Sequence, residues 1–219
     1  MSKTDLQLKQ DIEDELASDP RINAAQIAVS IDGGAVSLFG AVDTYVEKWA
    51  AEEATKRVAG VRTVAQDLTV KVRTEHQRDD PEIAAVALSV LRWNVLVPGS
   101  VKASVEHGVV TLTGQVAWNY QRDAAERSIR ALMGVVSVFN DITLEPGTSA
   151  SQLQENVQSA LQRHALADAR SIRIDATGSK VTLTGSALSW SSIDDAVTTA
   201  WAAPGVTEVV NHVTMAPRS

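Results

Sequence analysis

The stretch Val36-Ser37-Leu38-Phe39-Gly40 decides the fold, because it returns as Val110-Thr111-Leu112-Thr113-Gly114 and again as Val181-Thr182-Leu183-Thr184-Gly185. The closing glycines lie 74 and 71 residues apart, close to a third of the 219-residue chain. Each is followed, at the same interval of 20, by a Gly-Val pair: Gly60-Val61, Gly134-Val135 and Gly205-Val206. Three copies of one unit therefore account for the chain, over residues 1–74, 78–146 and 149–217. Solenoid repeats are shorter, so the copies read as three small domains in series.

The elements of one copy follow by working outward from its glycine. Leu8, Ile12 and Leu16 recur every four residues ahead of Asp19-Pro20, which predicts an amphipathic helix with a proline stop. Val86 and Val90, then Val157 and Leu161, are its counterparts in the other copies. Ile27, Val29 and Ile31 alternate, Asp32-Gly33-Gly34 is hairpin chemistry, and residues 35–39 alternate again. Ala50, Ala51, Ala54 and Val58 then fall at helical spacing through residues 44–58, with Gly60 as the expected C-terminal cap. An apolar strand over 63–72 completes the copy. A strand-helix-strand connection places its crossover on one side. The fold class is thus α+β: three tandem αββαβ domains, each a three-stranded mixed sheet with two helices packed on one face. Gly40, Gly114 and Gly185 read as structural, where a strand hands over to a helix, and Gly60, Gly134 and Gly205 as structural where the helix returns to a strand.

The pattern Val-x-Leu-x-Gly, then Val42, Val116 or Ala187, an Ala-containing helix, Gly-Val and a Val-rich strand resembles the BON domain, named for bacterial osmotically inducible and nodulation proteins. The third copy diverges most, with Ala187, Pro204, Trp190 and Trp201 at unusual places. The resemblance implies an αββαβ sandwich, no catalytic role, and binding of phospholipid or membrane surfaces under osmotic stress in the bacterial envelope. Some family members pair a BON domain with a LysM domain and are associated with potassium; no LysM-like segment is visible here.

Composition narrows the chemistry. With 20 Lys+Arg against 27 Asp+Glu, the net charge is -7, and residues 1–74, 75–148 and 149–219 carry -3, -3 and -1, so no copy is a basic nucleic-acid-binding module. There is no Cys, which removes thiolate nucleophiles and Cys-ligated metals. The four His (His76, His107, His164 and His212) are scattered without metal-binding spacing, so no metal and no cofactor is expected. Asp79-Asp80 and Asp194-Asp195 read as helix caps. The first ten residues lack the apolar core of a secretory leader. The expectation is a cytoplasmic protein if Met1 is the native start, and a periplasmic one if a leader has been removed.

The candidate binding residues are aromatic. Tyr45 and Trp49, Trp118 and Tyr120, and Trp190 all fall at the start of the second helix of their copies, at slightly different registers. In the second copy the same helix carries Arg122, Arg127 and Arg130. Three readings stand: contact with lipid headgroups, contact between domains or with a protein partner or second copy, and partial burial. The loop Trp93-Asn94-Val95-Leu96-Val97-Pro98 is unusually apolar; Leu96 reads as the core equivalent of Ile22, and its neighbours as an exposed patch. The expected function is non-enzymatic binding of phospholipid or membrane surfaces. The alternatives are an interaction scaffold and a sensor of potassium or another small ligand.

Overall fold

A computed structural model of the chain describes residues 4–145, 155–159, 172–187, 189–203 and 205–216. The expected linker over 145–151, His164, Leu161 and Pro204 fall wholly or mostly outside them. The described chain packs as two compact units: residues 1–93, 103–112 and 126–140 form one, and 94–102, 113–125 and 141–219 the other. The second repeat contributes to both.

The first repeat shows how the sequence builds the unit. Helix α1 (Asp5–Ser18) starts at a capping box, with Thr4 and Gln7 bonding each other's backbone N–H, and it buries Leu8, Ile12 and Leu16. Strands β1 (Ile27–Asp32) and β2 (Ala35–Val42) pair antiparallel, while β3 (Thr63–Val70) joins β2 in parallel after helix α2 (Tyr45–Arg57). The sheet order is β1-β2-β3. Alternation sends Val36, Leu38 and Val42 to one face, where they meet α1 and the small residues Ala50, Ala51 and Ala54 of α2. The alanines let α2 lie close to the sheet. Phe39 points the other way and stays exposed.

The second and third repeats use the same plan. Helix α3 (Asp80–Trp93), β4 (Lys102–Glu106), β5 (Val109–Val116), helix α4 (Asn119–Arg130) and β6 (Ser137–Leu144) follow, with sheet order β4-β5-β6. The third repeat has helical residues 155–159, then β7 (Ile172–Thr177), β8 (Lys180–Ala187), helix α5 (Trp190–Trp201) and β9 (Glu208–Met215). β7 pairs antiparallel and β9 parallel with β8, and Val157 lies in the third core.

Several expectations need correction. The strand does not end at Gly40: β2 runs on to Val42, with Ala41 beside Thr69 and Val42 beside Val70. Gly40 and Gly114 instead sit inside strands at φ +127° and +137°, where a neighbouring carbonyl comes too close for any Cβ. That carbonyl is Gln26's in the first case and Ser100's in the second. Gly60 is not the cap of α2, whose C-cap is Val58; it lies in the turn beyond, against Leu8.

The repeat register also slips. The buried side of α3 is Ile83, Ala87 and Leu91, each 75 residues after Leu8, Ile12 and Leu16, whereas the strands keep the interval of 74. One residue is missing between Val97 and Val101 relative to Ile22 and Ile27. Hence Val97 is the half-buried equivalent of Ile22, and Leu96 is 46% exposed rather than core. Val86, expected on the apolar face, points outward for the same reason.

Candidate functional site

The aromatic and basic residues divide into three places. In the first unit, α2 presents Tyr45 and Trp49 to Arg130 of α4. The Arg130 guanidinium carbon lies 4.4 Å from the Trp49 ring centre, and its Nη2 donates to Glu126 Oε1 at 2.8 Å. Glu126 Oε2 in turn accepts from Asn140 Nδ2 at 3.1 Å. Arg130 is largely buried, and its Nε has no partner. Burial first, and then the Glu126 charge, raise the Tyr45 hydroxyl above the ordinary phenol range. Tyr45, Trp49 and Arg130 thus form a joint between two repeats. A guanidinium so enclosed is turned away from a lipid surface.

In the second unit, Trp118 and Tyr120 are held at the start of α4. Gln121 Oε1 accepts from the backbone N–H of both Ala117 and Trp118 at 3.1 Å. Glu47 does the equivalent work in the first repeat: it is buried, and its two oxygens accept from Asn23 N at 2.7 Å and Asp43 N at 2.8 Å. Trp118 and Tyr120 open onto a cleft of about 550 Å³ that they share with Trp201 at the end of α5. Asn119, buried, donates to Asp123 Oδ2 at 2.9 Å and fixes that carboxylate in the cleft wall. Trp190 is half-buried against the third core. Arg122 is half-buried and Arg127 exposed.

The third place is the outer face of α3. In α1, past a first turn where Leu6 is 79% exposed, the outward residues are Lys9, Gln10, Asp11, Glu13 and Asp14. In α3 they are Ala85, Val86, Leu88, Ser89, Arg92 and Trp93. Leu88 is 54% exposed and Trp93 88%. No acidic residue occurs from Ile83 to Trp93. A helix apolar on both sides needs cover on both, and here only the side bearing Ile83, Ala87 and Leu91 has it. An apolar groove of about 540 Å³, lined by Ile83, Ala85, Val86, Leu132 and Met133 among others, extends this face within the first unit. The loop that follows in sequence exposes Val95 almost completely. Trp93 and its loop were legible as apolar, but Val86, which only the one-residue slip turns outward, was missed, as were Leu88 and Met133.

The acid pairs behave differently from one another. Asp79 and Glu82 form a reciprocal capping box. Asp80 instead holds the β4–β5 hairpin, accepting from His107 N at 2.8 Å and Gly108 N at 2.9 Å, bonds that lower its carboxyl below the usual range. Asp194 and Asp195 lie in the second turn of α5, whose N-cap is Ser189. Among the described residues no group of three His, Asp or Glu could hold a metal ion. No described helix is long and apolar enough to cross a membrane.

The BON domain family model matches residues 4–72, 79–146 and 149–217. The chain is 30% identical over 132 residues to osmotically-inducible protein Y of Escherichia coli (strain K12), a match covering 58% of this chain and 66%, just under two thirds, of that protein. Among solved structures, CdsD, a structural protein of the type III secretion system of Chlamydia trachomatis, aligns at 16% identity over 97% of this chain and 93% of its own, with a TM-score of 0.29. Its C-terminal domain aligns at 16% identity over 99% and 100%, with a TM-score of 0.27.

Proposed function

Since the chain belongs to the BON domain family, with three such domains in series and an osmotic-stress relative, we propose that it is a non-enzymatic protein that binds phospholipid membrane surfaces through the outer face of α3. The observation that carries this reading is the contrast between α1 and α3. Two helices in the same structural position have opposite outer faces, one charged and one bearing Leu88 and Trp93. Moving a large aliphatic side chain fully out of water contributes about 1.5–3 kcal/mol, enough for reversible attachment from a few residues. Arg92 is exposed on the same face and supplies a cation for lipid phosphate, and tryptophan suits the boundary between headgroups and chains.

The chain's net charge of -7 opposes long-range attraction to anionic lipid. Apolar contact is then the main term, and binding should survive salt that screens charges beyond about 8–10 Å. The test is co-sedimentation with phosphatidylethanolamine/phosphatidylglycerol vesicles at low and high salt. Wild type should pellet at both, and the double variant Leu88→Ser/Trp93→Ser should stay in the supernatant. Equal pelleting of the two proteins, or none by either, contradicts the reading. The cluster of Tyr45, Trp49 and Arg130 supports a second role, as the joint of a multi-domain scaffold rather than a lipid contact.

A further inference from the structure

We propose that the cleft between the start of α4 and the end of α5 binds a small alkylammonium cation, one bearing methyl groups on nitrogen. The cleft holds about 550 Å³, within the roughly 300–1,000 Å³ typical of small-molecule sites. Its lining concentrates three of the chain's nine aromatic residues, Trp118, Tyr120 and Trp201. Aromatic faces carry partial negative charge and attract cations that are weakly hydrated. Trp201 packs against the third core, so one wall is rigid before any ligand arrives. Trp118 is positioned through the Gln121 bond to its backbone.

The charges point the same way. The last turn of α5 contains no basic residue, so the partial negative charge of its C-terminus is not offset from within the helix. Asp123 brings a carboxylate to the wall, oriented by Asn119. At the opposite side, the backbone donors of Ala117 and Trp118 are already bound by Gln121 Oε1, so the start of α4 offers them to no anion. A hard metal ion wants about six or more oxygen ligands, and this mostly apolar lining does not supply them. A methylated ammonium group, with diffuse charge and an apolar coat, fits both the rings and the carboxylate.

Such a group occurs on free small molecules and on choline headgroups, and titration separates the two. Choline and its neutral isostere 3,3-dimethyl-1-butanol are added to the full chain while tryptophan fluorescence and ligand saturation-transfer NMR are followed. Choline should bind saturably and the isostere at least about tenfold more weakly, because only the cation gains from the ring faces. Trp118→Ala should abolish choline binding and Asp123→Asn should weaken it about threefold, as loss of one partly screened charge does. Tyr120→Ala should also weaken it; Tyr120, like Trp118, is part-exposed, so neither change unfolds the protein. Phosphatidylcholine vesicles form the second arm. Capture that depends on Trp118 assigns the headgroup as the source, and binding of choline without such capture assigns a soluble ligand. The proposal is overturned if choline and its isostere bind alike, if both aromatic variants bind as wild type, or if neither arm shows binding. The double variant Leu88→Ser/Trp93→Ser should titrate as wild type, so this site and the α3 face stand or fall separately.

Discussion

Replacing Gly114 by alanine tests the reading of the repeat glycines as close-approach positions. A Cβ at residue 114 would lie 2.5 Å from the Ser100 carbonyl oxygen and 3.1 Å from Val101 Cα, both backbone atoms, at φ +137°. Relief requires about half an ångström or more of backbone movement, since contacts below roughly 3 Å are not tolerated. Two hydrogen bonds stand in the way: Ser100 Oγ to Gln115 O at 2.7 Å and Thr143 Oγ1 to Gly114 O at 3.1 Å. The backbone strain costs about 1–3 kcal/mol, and each disturbed bond about 1 kcal/mol. The total, about 3–5 kcal/mol, matches what the core of a domain this small supplies. The second repeat should therefore lose cooperative structure.

Hydrogen exchange followed by mass spectrometry reads this locally, which matters because a three-domain chain need not unfold in one step. Amides of β5 and β6 should lose most of their protection in Gly114→Ala, while those of the third repeat keep theirs. Gly178→Ala is the control: its φ is +63° but nothing lies within 4 Å of the new methyl group, so about 1 kcal/mol is expected. If Gly114→Ala exchanges like wild type, or if the two variants cost the same, the close-approach reasoning is wrong.

Other outcomes follow from single contacts. Thr4→Ala removes the capping box of α1 and should cost about 1 kcal/mol in urea denaturation. Arg130→Ala leaves Glu126 and the Trp49 face without their cation, and should destabilise the first unit by about 1–3 kcal/mol with a change in Trp49 fluorescence. The Arg21 side chain, bound to both oxygens of Asp19 at 2.9 and 2.6 Å, holds that carboxyl well below its usual range. A depressed folded-state pKa stabilises fully above the unfolded value near about 4 and is lost as pH falls through the folded one. The loss of stability below about pH 4 should accordingly be shallower in Asp19→Asn.

Much of the fold was legible because its signals are local and repeated three times. Val-x-Leu-x-Gly encodes a strand whose alternate residues are buried, and the hairpin and helix lengths follow from Gly33-Gly34 and the alanines of α2. What sequence misplaced depended on one missing residue between Val97 and Val101, which leaves the strands in register but rotates α3 by about 100°. That rotation is what exposes Val86, so the candidate surface was only half visible in advance. The joint of Trp49 with Arg130 and the meeting of Trp118 with Trp201 link residues 81 and 83 positions apart. No local pattern reports such pairings.

The outer face of α3 is tested most directly by fluorine NMR of the chain labelled with fluorotryptophan, whose five tryptophans report from all three repeats at once. Vesicles of phosphatidylethanolamine and phosphatidylglycerol carrying a spin-labelled lipid are added, and each resonance is followed. The Trp93 signal should broaden first and most strongly, with Trp49 unaffected. A Trp93 signal that stays sharp while the protein is vesicle-bound, or equal broadening of all five, would contradict the assignment of that face to the membrane.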